Sequence, residues 1–546
     1  MRCRSFLPAG AAVRVVDTGP GAPEVGTGLG PHPITITIDA EHPGPVVPDD
    51  FAGLSFERGP LNPGNAGVEG YLFSPANNSL VTLFRNMGLR NLRIGGGSVD
   101  EFIPAGTGRD GFIGIDNLFA FARAAGVRVI YTLRLLNPSA KPIRDLKAVD
   151  AQIASYIWRR YRETVASFAI GNEPDWHAFH THVGHPVDPA IYEEMAGVPG
   201  SAYPSYLTAW QSFADAIGEA VPGAPLSGPD TGAYSTMTYS PSPENGVSWT
   251  ERFAGDARDT GRITDVTQHC YVGGSPGKTS AQQAISNMLS PEWVTGTEIA
   301  AQPAGTTYTP YPWLYASHLE PVLAAGLRYR LTESNDYLDG VPGASDVFAS
   351  ALWALDYLHW WAAHSAAGVN FHNKQWLRTD TVVPDPAATG ACYAVTPKGY
   401  AIKAFRLGSA GQVKPVAIDN ADGINLTAYC VGGAGEDYVT IINKTSGTEA
   451  ADAAITILPS GAGLVGAGLD GAGLDGAGLV GAQSMTLAGG EPGDATQASV
   501  TLGGAAINGD TPWDGKWSAL HAHPRAGISL TVRATTAVIV RIHRQS

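Results

Sequence analysis

Apolar and polar positions alternate in two different textures along this chain. Residues 34–38 (ITITI) set β-branched apolar side chains against hydroxyls in strict alternation, the signature of a half-buried strand. From residue 51 the texture changes to short, wholly apolar runs that stop at Gly, Asn, Glu or His, separated by longer segments of helical character. The runs are 51–56 (FAGLSF), 89–94 (LRNLRI), 127–133 (VRVIYTL), 165–170 (VASFAI), 226–230 (LSGPD), 266–271 (VTQHCY), 329–332 (YRLT) and 368–372 (GVNFH). Eight buried strands alternating with helices, such as those predicted over 117–125 and 347–364, spell a (β/α)₈ barrel over residues 51–384.

After about residue 384 the pattern becomes all-β, with alternating segments at 437–442, 454–458, 499–502 and 528–542 between Gly, Asn and Asp. This reads as an accessory β-sandwich over residues 385–546, and the early strand within 33–50 is expected to join its sheet. Residues 1–32 lack periodicity and read as a mobile tail. The pentapeptide GAGL[VD] recurs four times over 461–480, a Gly-Ala tract too short for a solenoid and read as an expanded loop.

Composition narrows the function classes. The 546 residues carry 50 acidic against 35 basic side chains, a formal charge of −15 that disfavours nucleic acid and anionic membrane surfaces as partners. Cys3, Cys270, Cys392 and Cys430 have neither the density of a disulfide framework nor metal-ligand spacing, and no His/Cys/Asp cluster calls for a metal or other cofactor. No run of about 18 apolar residues predicts a membrane span. The stretch after Arg2 and Arg4 lacks the continuous apolar core of a secretory signal.

In a (β/α)₈ barrel the residues ending each strand share one mouth, so the chemistry lies in what terminates each run. Strand four ends in Gly171-Asn172-Glu173-Pro174 and strand seven in Thr332-Glu333-Ser334-Asn335. Two carboxyl groups at opposite strand ends approach to about 5–5.5 Å in a retaining glycosidase. Arg93 in strand two reads as a buried partner of these carboxylates, since an Arg fork favours the ionised form. Tyr271 and His269 at the end of strand six share one orientation, and Cys270 between them points the other way. Ser98 and Asp100, after Gly95-Gly96-Gly97, are candidates for sugar hydroxyls or for loop capping.

These residues resemble glycoside hydrolase clan A. More narrowly, Gly53-Leu54-Ser55-Phe56-Glu57, Leu92-Arg93-Ile94-Gly95-Gly96, Ala351-Leu352-Trp353-Ala354-Leu355-Asp356 and Val369-Asn370-Phe371-His372 are similar to family 79, the β-glucuronidases and heparanases. The resemblance implies Glu173 as general acid/base, Glu333 as nucleophile, Asn172 on the sugar 2-hydroxyl and Tyr271 on the nucleophile. It further implies that Tyr337, Gly340 and groups after strand eight hold the substrate carboxylate, with His372 beside them. Leu338-Asp339 departs from the family pattern, and Lys374 or Arg378 is the candidate to supply positive potential. Residues 273–319, with Trp293, Tyr308, Tyr311 and Trp313, are expected to wall the aglycone side.

The expectation is thus a retaining exo-β-glucuronidase acting on a glucuronide small molecule or oligosaccharide. Alternatives are a heparanase-like endo-hydrolase, a clan A glycosidase for neutral sugars, and a non-catalytic carbohydrate binder. The family resemblance also implies a secreted or periplasmic location.

Overall fold

The computed structural model describes residues 31–64, 67–101, 111–135, 144–175, 202–232, 247–296, 309–374, 376–433, 435–458, 479–523 and 527–544. Eight parallel strands close a barrel in chain order: β2 (Ala52–Glu57), β3 (Asn91–Gly95), β4 (Arg128–Leu133), β5 (Val165–Ile170), β6 (Leu226–Thr231), β7 (Ile263–Tyr271), β8 (Tyr329–Asn335) and β9 (Val369–Asn373). Each predicted run overlaps one of these strands, and the short 226–230 segment lies wholly within β6. The run pattern was readable because a parallel barrel strand is covered on one side by helices and on the other by packed lumenal side chains.

The strand preceding the barrel, β1 (His32–Ile38), pairs parallel with Ala453–Leu458 and antiparallel with Val416–Asp419. Its Ile34, Ile36 and Ile38 are buried among Ile455, Ile457, Val439 and Ile528, so its period-two pattern feeds an apolar core separate from that of the barrel. Two sheets face one another there, one of five strands and one built around Leu426–Gly433, Glu436–Asn443, Thr536–Arg544 and Leu479–Ala488. The expected mobile tail lies outside the described residues up to residue 30, as does the GAGL repeat over 461–478, and the chain is already in β1 at His32.

One element corrects the all-β expectation beyond residue 384. The helix Pro397–Gly408 interposes between barrel and sandwich, with Phe405 packed on Phe51 at 5.1 Å between ring centroids. The barrel helix Phe348–Ala363 is buried along almost its whole length, which its low amphipathicity required. Its Asp356 accepts hydrogen bonds from Thr427 Oγ1 (2.6 Å) and Tyr429 OH (2.8 Å) and pairs with Lys444 Nζ (3.2 Å), fastening the sandwich to the barrel. No helix among the described residues is long and apolar enough to cross a membrane.

Candidate active site

Arg93 is the hub of the barrel mouth. Side chains on β3 alternate, and the one at Arg93 enters the lumen with no exposed surface. Its Nη1 donates to Glu333 Oε2 (2.7 Å) and Ser55 Oγ (3.1 Å), and its Nη2 donates to Asn172 Oδ1 (2.7 Å) and Asp230 Oδ2 (2.9 Å). One planar fork thereby fixes side chains from four other barrel strands or their ends. The backbone must yield to it: a Cβ on Gly95 would stand 2.6 Å from the guanidinium carbon. Lysine could not make this set of contacts from a single ammonium.

Glu333, at the end of β8, receives a second donor from Tyr271 OH at 2.6 Å on its other oxygen. Burial alone would raise this carboxyl, but the charges of His372, His269 and Arg93 and the Tyr271 hydroxyl outweigh it and hold Glu333 well below the usual carboxylate range. Glu333 is ionised at any ordinary pH. Tyr271 moves the opposite way, its hydroxyl pushed far up by burial and by the neighbouring carboxylates, so it stays a donor.

Glu173, after β5, is set differently. Its Oε1 lies 2.8 Å from His269 Nδ1, and its backbone N–H donates to Asp230 O at 2.9 Å. Glu173 and Asp230 both have positive φ, at +46° and +55°, a left-handed backbone that non-glycine residues adopt at a cost. Burial opposes charge on His269, but Glu333, Asp230 and Glu173 favour it and push the imidazole up to about 9 despite Arg93. The His269 Nδ1 proton therefore faces Glu173 Oε1, with Glu333 Oε2 3.8 Å from the same nitrogen.

Oxygens of Glu173 and Glu333 and a nitrogen of His269 lie within 4.8 Å of one another. That trio is geometrically able to surround a cation. Its atoms are nevertheless engaged: Glu333 by Arg93 and Tyr271, and Glu173 by His269. The donor set fits a proton-transfer pair beside an ionised carboxylate better than a ligand sphere, which would have a neutral imidazole lone pair free.

Among the residues singled out from sequence, Arg93, Asn172, Glu173, Tyr271, Glu333 and His372 converge here. Asp100 Oδ1 accepts from Leu135 N–H (3.2 Å), linking the turn after β3 to the end of β4. Ser98 Oγ accepts from Arg58 N–H at 2.8 Å, tying the turn after β3 to the segment after β2. The Tyr337 hydroxyl is buried and accepts from Asn287 Nδ2 (2.8 Å), and Gly340 turns with φ +77° against Thr379. Lys374 is exposed and its backbone N–H donates to Asp380, while the exposed Arg378 lies 3.4 Å from Asp346.

The aromatic wall is also revised. Tyr311 is buried against Tyr357 (4.9 Å) and Trp360 (5.5 Å), and Trp293 is buried near Tyr337 (6.1 Å), so these rings fill the core where a sugar-stacking face was expected. Trp313 is half-buried beside His318, and Tyr308 lies outside the described residues.

Asp230 and Glu57 were passed over. Asp230, the last residue of the 226–230 run, accepts from Arg93 and from Thr332 Oγ1 (2.6 Å), and these groups with His269 keep it ionised against the effect of burial. The rule that selected Glu173 and Glu333, to ask which polar residue ends each run, selects both of these as well.

No protein-family profile matches the sequence, and no curated protein matches it. Solved structures do match in fold. A 4-O-α-L-rhamnosyl-β-D-glucuronidase from Fusarium oxysporum 12S superposes with a TM-score of 0.59 at 15% identity, over 93% of this chain and 99% of that one. A family 51 arabinofuranosidase from Xanthomonas axonopodis pv. citri gives 0.61 at 13% identity, over 94% and 100%. A family 51 α-L-arabinofuranosidase from Bifidobacterium longum gives 0.59 at 16%, over 94% and 99%. What this chain shares with all three is the closed parallel barrel with its appended β-sheets.

Proposed function

We propose that this protein is a retaining glycoside hydrolase and, within that class, an exo-acting β-glucuronidase. The observation that carries the class is the asymmetry of the two carboxylates: Glu333 is clamped ionised by Arg93 and Tyr271, and Glu173 shares a proton with His269. A nucleophile held as an anion and a second carboxyl group supplied with a proton by its neighbour are what acid catalysis followed by nucleophilic attack needs. Oxygens within 4.8 Å fit double displacement; inversion leaves a water's width, about 6.5–9.5 Å between carboxyls.

In this mechanism Glu333 attacks the anomeric carbon as Glu173, fed from His269, protonates the departing glycosidic oxygen. A glycosyl ester on Glu333 results. Neutralising Glu333 removes the charge that favours a proton on His269, so Glu173 is freed to take a proton from water, which then displaces the ester. Asn172, oriented by Arg93 on its oxygen, keeps its amide N–H₂ for the sugar 2-hydroxyl.

The glucuronide assignment rests on the sequence resemblance and on the fungal glucuronidase among the fold relatives. A second reading, a glycosidase for neutral sugars, is favoured by one observation. Among the described residues the cations facing the cluster, Arg93, His269 and His372, each already face carboxylates. Under the glucuronidase reading Lys374, after β9, supplies the positive potential.

Turnover of aryl β-D-glucuronide, β-D-glucoside, β-D-xyloside and α-L-arabinofuranoside tests both readings. Wild type is expected to cleave the glucuronide, with Glu173→Ala and Glu333→Ala inactive or nearly so. Cleavage of the neutral glycosides alone rejects the uronate assignment, and retention of wild-type rates by either variant rejects the mechanism.

A further inference from the structure

Two residues at the mouth have no part in the mechanism above. His372 on β9 stands in register with Ser55 on β2, its Nδ1 3.0 Å from Ser55 Oγ and 3.7 Å from Glu333 Oε2. Its Nε2 lies 3.4 Å from Glu57 Oε1. Glu57 ends β2 with its side chain on the same lumenal side as that of Ser55, and it is held firmly. Its Oε2 accepts the Ser98 N–H at 2.8 Å and lies so close under Gly96, where φ is +74°, that a Cβ there would stand 2.4 Å away. Both side chains are buried.

A buried carboxylate beside an already acidic cluster is costly unless it is paired. An imidazole lodged between Glu57 and Glu333 resolves that cost by binding a proton. The charged groups facing His372 from every side are Glu57 from β2, Arg93 from β3, Glu333 from β8 and Asp380 from the segment after β9, with the neutral Ser55 completing the shell. Three carboxylates against one guanidinium favour the imidazolium.

We propose that Glu57 and His372 are a positioning pair, in which Glu57 holds His372 as an imidazolium against Glu333, giving the nucleophile a further, titratable cation beside Arg93 and His269, which face the same Glu333 oxygen. This inference rests on the reading of Glu333 as the nucleophile. It differs from that reading in what it makes testable, because the pairing is a property of the enzyme without substrate.

The experiment is ¹⁵N NMR titration of the His372 ring in wild type and Glu57→Gln, with pH profiles of kcat/KM for the aryl glycoside that wild type cleaves and for Glu57→Gln, His372→Gln and the double variant. The wild-type ring is expected to be protonated at pH 7, and Glu57→Gln to lower its midpoint by about one pH unit or more. Loss of the proton from His372 weakens the hold on the Glu333 anion, so the alkaline limb of kcat/KM moves to lower pH in Glu57→Gln, with kcat reduced more than KM is changed in each single variant. The double variant should be no worse than His372→Gln, as expected of residues acting in series. A neutral His372 at pH 7 in wild type, an unchanged midpoint in Glu57→Gln, or single-variant losses that multiply in the double variant overturns the pairing. If the wild-type protein cleaves no glycoside while the ring titrates as stated, the glycosidase reading fails and the pairing stands. Should Glu57→Gln not fold, the wild-type titration and His372→Gln profile still decide the matter.

Discussion

Replacing Arg93 by methionine keeps side-chain length and burial but removes the fork that joins Glu333, Asp230, Asn172 and Ser55. Two buried carboxylates each lose a charge-assisted hydrogen bond, at roughly 1.5–3 kcal/mol apiece. The sum agrees with the roughly 3–5 kcal/mol expected when one partner is deleted from a buried ion pair, so about 4 kcal/mol is the working value. Tyr271 and Thr332 still donate to Glu333 and Asp230, which sets the upper bound. The sign with pH follows from linkage. Asp230 and Glu333 are both depressed in the folded protein, so their contribution is complete above the unfolded carboxylate range, near pH 4, and declines as pH falls toward the folded values. Below about pH 4 each group forfeits about 1.4 kcal/mol per pH unit. Urea denaturation of wild type and Arg93→Met should therefore show a gap of about 4 kcal/mol at pH 7 that narrows by more than about 1 kcal/mol between pH 5 and pH 3. A gap below about 1 kcal/mol at pH 7, or one that does not change on acidification, would refute the claim that Arg93 acts by stabilising these two anions.

Two further perturbations separate local effects. Tyr271→Phe deletes the 2.6 Å donor to Glu333 and should lower kcat/KM by roughly 10- to 150-fold, the kinetic equivalent of about 1.5–3 kcal/mol, with little change in thermal stability; unaltered kinetics on a cleaved glycoside would remove Tyr271 from the mechanism. Lys398→Met leaves the buried Asp336, whose Oδ1 accepts from Nζ at 2.9 Å just beyond the β8 strand, with Thr379 Oγ1 as its donor and no cation, and should cost about 3–5 kcal/mol by denaturation; a neutral effect would refute a stabilising role for the pair.

How much of this was legible in sequence depends on the range of each interaction. The barrel strands announced themselves through local pattern, since they are largely buried and most end in or run directly into a polar residue at one mouth. That rule alone reached Glu173, Glu333 and Tyr271. Arg93 was recognisable as a buried partner of carboxylates, yet its bond to Asp230 spans 137 positions and its bond to Glu333 spans 240, and no periodicity encodes which acceptors a guanidinium meets at that distance. Trp293 and Tyr311 misled for a related reason: an aromatic in an irregular segment has the same sequence signature whether it faces a sugar or fills the gap beneath a helix, and here both fill core. Asp356 is the reverse case, a polar residue in an apolar helix whose meaning lies in the sandwich strands that it anchors.

The same distinction bears on specificity. The chain is negative overall at −15, and its floor of Glu57, Glu173, Asp230 and Glu333 is balanced by Arg93 and two histidines that face those same groups. Such a floor holds Glu57, Asp230 and Glu333 as anions, but it has little positive potential left to attract a uronate. Under the glucuronidase reading, selection of the sugar would therefore belong to the segments above the floor, where Lys374 is exposed beyond β9. In a glucuronidase, Lys374→Ala would raise KM for a glucuronide while leaving the matching glucoside unaffected, because the ammonium acts on the substrate carboxylate and not on the reacting carbon.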